Sequence, residues 1–99
     1  LHAADDHIVL LSRKTAIEKV AAFLLASADW AGKVEQFDLP MARSDIADYL
    51  GLTIETISRT MTRLIDNEVI ALPTPQRVRV KDWNELRALA RPEGDTFSG

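Results

Sequence analysis

Apolar and polar positions alternate along this chain at two periods, and the switches between them mark its elements. Leu1, Ala4, Ile8 and Leu11 are spaced by three and four residues, the a/d seam of a packed helix. Isolated helices shorter than about 12–15 residues are marginal, so segment 1–11 is either the end of a longer dimerisation helix or a stub packed on its own domain. Ser12 is an N-cap candidate for the next helix. There Ile17, Val20, Ala21, Leu24, Leu25 and Ala28 share one face, with Lys14 and Glu18 outward. Asp29 to Gln36, with Gly32, reads as a loop, and Phe37-Asp38-Leu39 before Pro40 as a short strand.

Ile46, Ala47 and Leu50 define a short helix that stops at Gly51. Ile57, Met61, Leu64 and Ile65 define a longer one, capped by Thr53 and running to about Asn67. Val69–Leu72 and Arg77–Val80 read as two strands around Pro73-Thr74-Pro75-Gln76, a hairpin or wing. Asp82 is placed to cap a last helix carrying Trp83, Leu86 and Leu89, and Pro92–Gly99 has the composition of a disordered tail. The expected fold is mainly α with a small β wing, a winged helix-turn-helix. It divides into 1–11 as helix end or hinge, 12–91 as the domain, and 92–99 as tail.

Ninety-nine residues allow one small core, and 46% hydrophobic with 27% charged residues is ordinary globular composition. No apolar run approaches the roughly 20 residues of a membrane span. Without a signal-peptide pattern at Leu1, the chain reads as a fragment of a longer cytoplasmic protein. It has no cysteine, and its only histidines are His2 and His7. Disulfide, thiolate-metal and redox chemistry therefore drop out, and no metal or cofactor is expected in this stretch. No nucleophile–base pair or phosphate loop assembles, which argues against an enzyme.

The net charge of −3 is unfavourable for a phosphate-binding surface. From Pro40 to Val80, Arg43, Arg59, Arg63, Arg77 and Arg79 balance Asp45, Asp48, Glu55, Asp66 and Glu68. The balance is neutral there, so function must be argued from pattern. A helix-turn-helix needs two helices meeting closely through a tight turn. From Arg43 to Asn67, Ala47 is small enough for the crossing and Gly51 tolerates φ > 0 in the turn. Ile46, Leu50, Leu52 and Ile57 supply the shared core.

At about 100° per residue, Glu55, Arg59, Thr62 and Asp66 cluster opposite the apolar stripe of the second helix, with Ser58 beside them. Arg can bond bidentately to guanine, Glu can accept from the cytosine amino group, and Ser can do either. Glu55, Ser58 and Arg59 are thus the base-reading candidates. The plainer alternative is a solvated face with one Glu–Arg pair worth about 0.2–0.5 kcal/mol. At the level of function, the alternative is a winged-helix protein–protein module that reads no bases.

The stretch Leu39-Pro-Met-Ala-Arg-Ser-Asp-Ile-Ala-Asp-Tyr-Leu-Gly-Leu-Thr-Ile-Glu-Thr-Ile-Ser-Arg-Thr resembles the Crp/Fnr regulators, in particular their Fnr/FixK branch. The branch's E-x-x-S-R motif falls on Glu55, Ser58 and Arg59. Cyclic-AMP-binding relatives carry arginine where this chain has Ile54. The resemblance implies a bacterial transcription regulator, an activator in many relatives, acting as a homodimer with an N-terminal sensor domain. It implies binding to double-stranded DNA at palindromes of TTGA-type half-sites, and contact with RNA polymerase, for which the loop Ala31–Gln36 is a candidate.

Phosphate-contact candidates are Arg43 and Ser44 on the first helix, Thr53, Thr56 and Thr62 on the second, and Arg77 near the wing tip. For Arg77 a strand-edge charge that blocks self-association is the alternative. Trp30 and Trp83 are expected to be packing anchors, and Tyr49 to lie partly buried between helices. The chain departs from the family at Ala42, where Thr or Ser usually caps the first helix, unless Ser44 starts that helix later. It also departs at Thr60, where a large apolar residue is usual, and at Pro73 and Pro75, where relatives often carry glycine.

Overall fold

A computed structural model describes residues 15–32 and 34–90. The seam of 1–11, Ser12 and the tail 92–99 fall outside the described residues. The first described helix, α1 (Ala16–Trp30), is opened by Thr15. The Thr15 hydroxyl accepts from the Glu18 amide at 3.3 Å, and the Glu18 carboxylate accepts from the Thr15 amide at 2.7 Å. Thr-Ala-Ile-Glu is thus a capping box, and the N-cap of this helix is Thr15. Val20, Ala21, Leu24 and Ala28 are buried as expected, and Phe23 and Ser27 join them. The buried Ser27 hydroxyl donates to the Phe23 carbonyl at 2.9 Å, which satisfies it without a partner from another element.

Two of the aromatic expectations are corrected. Trp30 ends α1 with 75% of its surface exposed, and Tyr49 is 70% exposed, one tilted ring contact with Phe23 aside. Trp30 stands where the helix runs off the core. Tyr49 lies about 100° around its helix from the centre of the Ile46–Leu50 stripe. Trp83 does pack, half-buried, against the core.

Helix α2 (Arg43–Leu50) and helix α3 (Ile54–Asp66) follow β1 (Gln36–Asp38). Strand β2 (Ile70–Thr74), strand β3 (Arg77–Val80) and helix α4 (Trp83–Ala90) complete the described chain. Asp82 opens α4 as expected, its carboxylate accepting from the Glu85 amide at 3.0 Å. The strands form one antiparallel sheet in the order β1-β3-β2, pairing Phe37 with Val78 and Ile70 with Val80. Strand β3 is therefore central, which removes the strand-edge role considered for Arg77. The wing turn is shorter than expected, only Pro75-Gln76, with Pro73 and Thr74 inside β2. Proline is tolerated there because β2 is an edge strand and its register with β3 slips between Ala71 and Thr74.

Leu24, Ile57, Leu64, Ile70, Val78 and Leu86, from both helices and sheet, form the most deeply buried part of the core. Burying each such side chain contributes about 1.5–3 kcal/mol. The architecture is the expected one, helices with a small wing.

Candidate nucleic-acid interface

The turn between α2 and α3 is closed by Gly51, which sits at φ 72°, ψ 33°. The Leu52 amide donates to the Ala47 carbonyl at 2.8 Å and the Gly51 amide to the Asp48 carbonyl at 3.3 Å. This is the Schellman arrangement that a left-handed residue allows. Lys19, on α1, adds an ammonium donor to the Leu50 carbonyl at 3.1 Å. Ala47 is buried at the crossing, as expected.

At the other end of α2 the N-cap is Ala42, with no side-chain cap bond. Ser44 does not take over, because the helix has already begun at Arg43. Asp45 in the first turn offsets part of the loss by its charge at the helix N-terminus.

Recognition-type helix α3 starts at Thr53, whose hydroxyl accepts from the Thr56 amide at 3.1 Å and donates to the Thr56 hydroxyl at 2.9 Å. Ile57, Thr60, Met61 and Leu64 are buried along one side. Glu55, Ser58, Arg59 and Thr62 are exposed on the other. Ile54 and Ile65 flank the stripe and are 49% and 37% exposed. Thr60 is accommodated in the core because its hydroxyl donates to the Thr56 carbonyl at 2.7 Å. Thr62 likewise donates to the Ser58 carbonyl at 3.0 Å, so in this rotamer it has no proton left for a phosphate.

Among the described residues, Glu55 and Arg59 make no ion pair with each other or with any neighbour. The Glu–Arg pair considered for this face is thus not formed, and both groups lie exposed beside Ser58.

The arginines divide. The Arg77 guanidinium Nε donates to the Asp38 carboxylate at 2.9 Å, directly across the β1–β3 register. That contact holds the Asp38 carboxyl below its ordinary value and raises the Arg77 pKa. Arg43 Nη2 donates to the Pro75 carbonyl at 2.9 Å. Arg59, Arg63 and Arg79 are exposed and make no ion pair among the described residues. Arg63 and Arg79 were not singled out from the sequence. On α3, Arg63 lies about 40° from Arg59, a spacing of four residues that the sequence does display.

An exposed polar helix face, a glycine-closed turn and an antiparallel wing together define a winged helix-turn-helix. Residues 18–89 match the family described as the Crp-like helix-turn-helix domain. The chain is 48% identical to the nitrogen fixation regulation protein FixK of Azorhizobium caulinodans, over 90% of this chain and 38% of that protein. It is 43% identical to the transcriptional activator protein FnrL of Cereibacter sphaeroides, over 96% of this chain and 42% of that protein. The solved structure of FixK2 from Bradyrhizobium japonicum superposes with a TM-score of 0.77 at 38% identity, covering 90% of this chain and 45% of that one. This chain belongs to the Crp-like helix-turn-helix domain family. It spans about two fifths of the length of these relatives.

Proposed function

We propose that this domain binds double-stranded DNA sequence-specifically, with the N-terminal half of α3 in the major groove. The observation that carries the reading is the trio Glu55, Ser58 and Arg59, exposed on one face of a capped helix, with neither charge in an ion pair among the described residues. Helix-turn-helix domains use this part of the second helix on base edges. An acid facing phosphates is costly unless it accepts from a base, which makes Glu55 the more telling residue. Arg59 would read guanine, Glu55 the cytosine amino group, and Ser58 either; the TTGA-type half-site is what the Crp/Fnr resemblance implies.

On this reading Ser44, Thr56 and the α3 N-terminus at Thr53 would contact phosphates. Thr62, Arg43 and Arg77 join them only by giving up or sharing their present bonds. The names of the relatives support a regulator of transcription rather than an enzyme, and activation in particular. The full-length protein on this reading is a cytoplasmic homodimer that touches RNA polymerase. The loop Ala31–Gln36 after α1 is the candidate contact, with exposed Trp30 just before it and Val34, 44% exposed, within it. No helix among the described residues is long and apolar enough to cross a membrane.

Titration of a duplex bearing a TTGA palindrome, against a scrambled one, tests the reading. Glu55→Ala and Arg59→Ala should each remove about 1–3 kcal/mol of discrimination at their base positions. Unchanged base preference in both variants would sink the base-reading assignment. No duplex binding at low salt would favour a protein–protein module.

A further inference from the structure

We infer that Arg43 is a positioning residue for the wing, acting on DNA affinity by tying the wing turn to the helix-turn-helix. Two successive carbonyls of that turn are held by the segment leading into α2. The Pro75 carbonyl accepts from Arg43 Nη2 at 2.9 Å, and the Gln76 carbonyl accepts from the Leu39 amide at 2.7 Å. The turn's own amides are taken by Thr74, whose hydroxyl oxygen accepts from Gln76 at 3.4 Å and from Arg77 at 3.0 Å. Pro75 has no amide hydrogen and a fixed φ, so its carbonyl is presented in one direction.

Arg43 is held as a strut rather than a free charge. The residue is half-buried, and its Nε lies buried without a hydrogen-bond partner. An unbonded buried N–H is costly, so a guanidinium free to swing toward solvent would leave this position. Its Nη2 bond to Pro75 and its packed stem hold it there. Because Arg43 is the first residue of α2, and α2 packs on α3, the wing tip is set relative to the base-reading face before any ligand arrives. A wing placed beforehand spares the ordering cost on binding.

The last step, from wing placement to affinity, rests on the DNA-binding reading; the tether itself does not. Amide hydrogen exchange on the full chain, free of DNA, reads the tether at Leu39. Arg43→Met, which keeps the stem and removes the donors, should speed Leu39 exchange by about three- to tenfold, the worth of one net hydrogen bond. Pro75→Gly should act at the same amide. Duplex affinity over a series of salt concentrations reads the consequence. Each variant should bind several-fold more weakly, and the double variant no more weakly than the worse single one, since both act through one contact.

Unchanged Leu39 exchange in Arg43→Met overturns the inference, whatever the duplex result. So do penalties that multiply in the double variant while Arg43→Met lowers the salt slope by about one, the mark of a plain phosphate contact. If the unaltered chain binds no duplex while Leu39 exchange still rises in the variants, the DNA reading falls and the wing tether stands.

Discussion

Replacing Gly51 with alanine isolates the backbone strain in the helix-turn-helix turn. At φ 72° the position is left-handed, and a Cβ built there meets only the Lys19 ammonium, at 4.0 Å. That is ordinary van der Waals contact with the end of a flexible side chain, so no steric penalty is added. What remains is the cost of a left-handed L-residue, about 1–2 kcal/mol. It is offset in part by the smaller conformational freedom of alanine in the unfolded chain, about 0.4–1 kcal/mol. The net loss is about 1 kcal/mol.

The chain cannot escape by leaving the left-handed region. Doing so would break the Leu52–Ala47 and Gly51–Asp48 backbone bonds that end α2. Urea unfolding of Gly51→Ala beside the parent chain should show that loss as a lower midpoint with an unchanged slope. Gly51→Asn should lose less, because asparagine tolerates this region better. DNA base preference should be retained, since no contact of α3 changes. A loss above about 3 kcal/mol, or none, would refute the assignment of the penalty to backbone conformation alone.

Helix α3 ends in the same arrangement with the opposite residue choice. The Val69 amide donates to the Leu64 carbonyl and the Glu68 amide to the Ile65 carbonyl, with Glu68 itself at φ 64°. Glu68→Gly should therefore raise the urea midpoint, since relief of about 1–2 kcal/mol of left-handed strain outweighs the added freedom of the unfolded chain, about 0.4–1 kcal/mol, and the exposed ion pair to Lys81 is worth little. Lys81→Met removes that pair alone, and a Glu68→Gly midpoint below that of Lys81→Met would contradict the strain argument. Acid titration followed by carboxyl chemical shifts should find Asp38 and Glu68 protonating below their ordinary values of 3.8 and 4.5. The causes are their hydrogen bonds to Arg77 and Lys81. Folded values below unfolded ones mean that the stabilisation is present above 3.8 and 4.5 and is lost as pH falls through the folded values. Both pairs are exposed, so high salt should shrink the effect, and ordinary or raised values would contradict the pairing.

What could be read from the sequence follows the distance over which each feature is decided. The Ile57–Leu64 stripe, the Thr53 cap and the Gly51 turn depend on neighbours within about one helical turn, and each stands where its spacing places it. The Thr15–Glu18 capping box is equally local, its Thr-x-x-Glu spacing standing in the sequence just before the apolar face of α1. Tyr49 was also legible, since its angle on α2 points away from the Ile46–Leu50 stripe. By contrast, Arg43 meets Pro75 and Arg77 meets Asp38 across 32 and 39 residues. Those contacts exist because β1 pairs with β3 and sets its edge beside the start of α2. In the sequence nothing shows that Arg43 and Arg77, both phosphate-contact candidates, are bound within the fold while Arg59 is not. The fold binds the first two to itself and leaves Arg59 free beside Glu55 and Ser58. Neutral bulk charge therefore does not decide how charge is distributed on the surface, because part of the positive charge is bound within the fold while Arg59, Arg63 and Arg79 make no ion pair among the described residues.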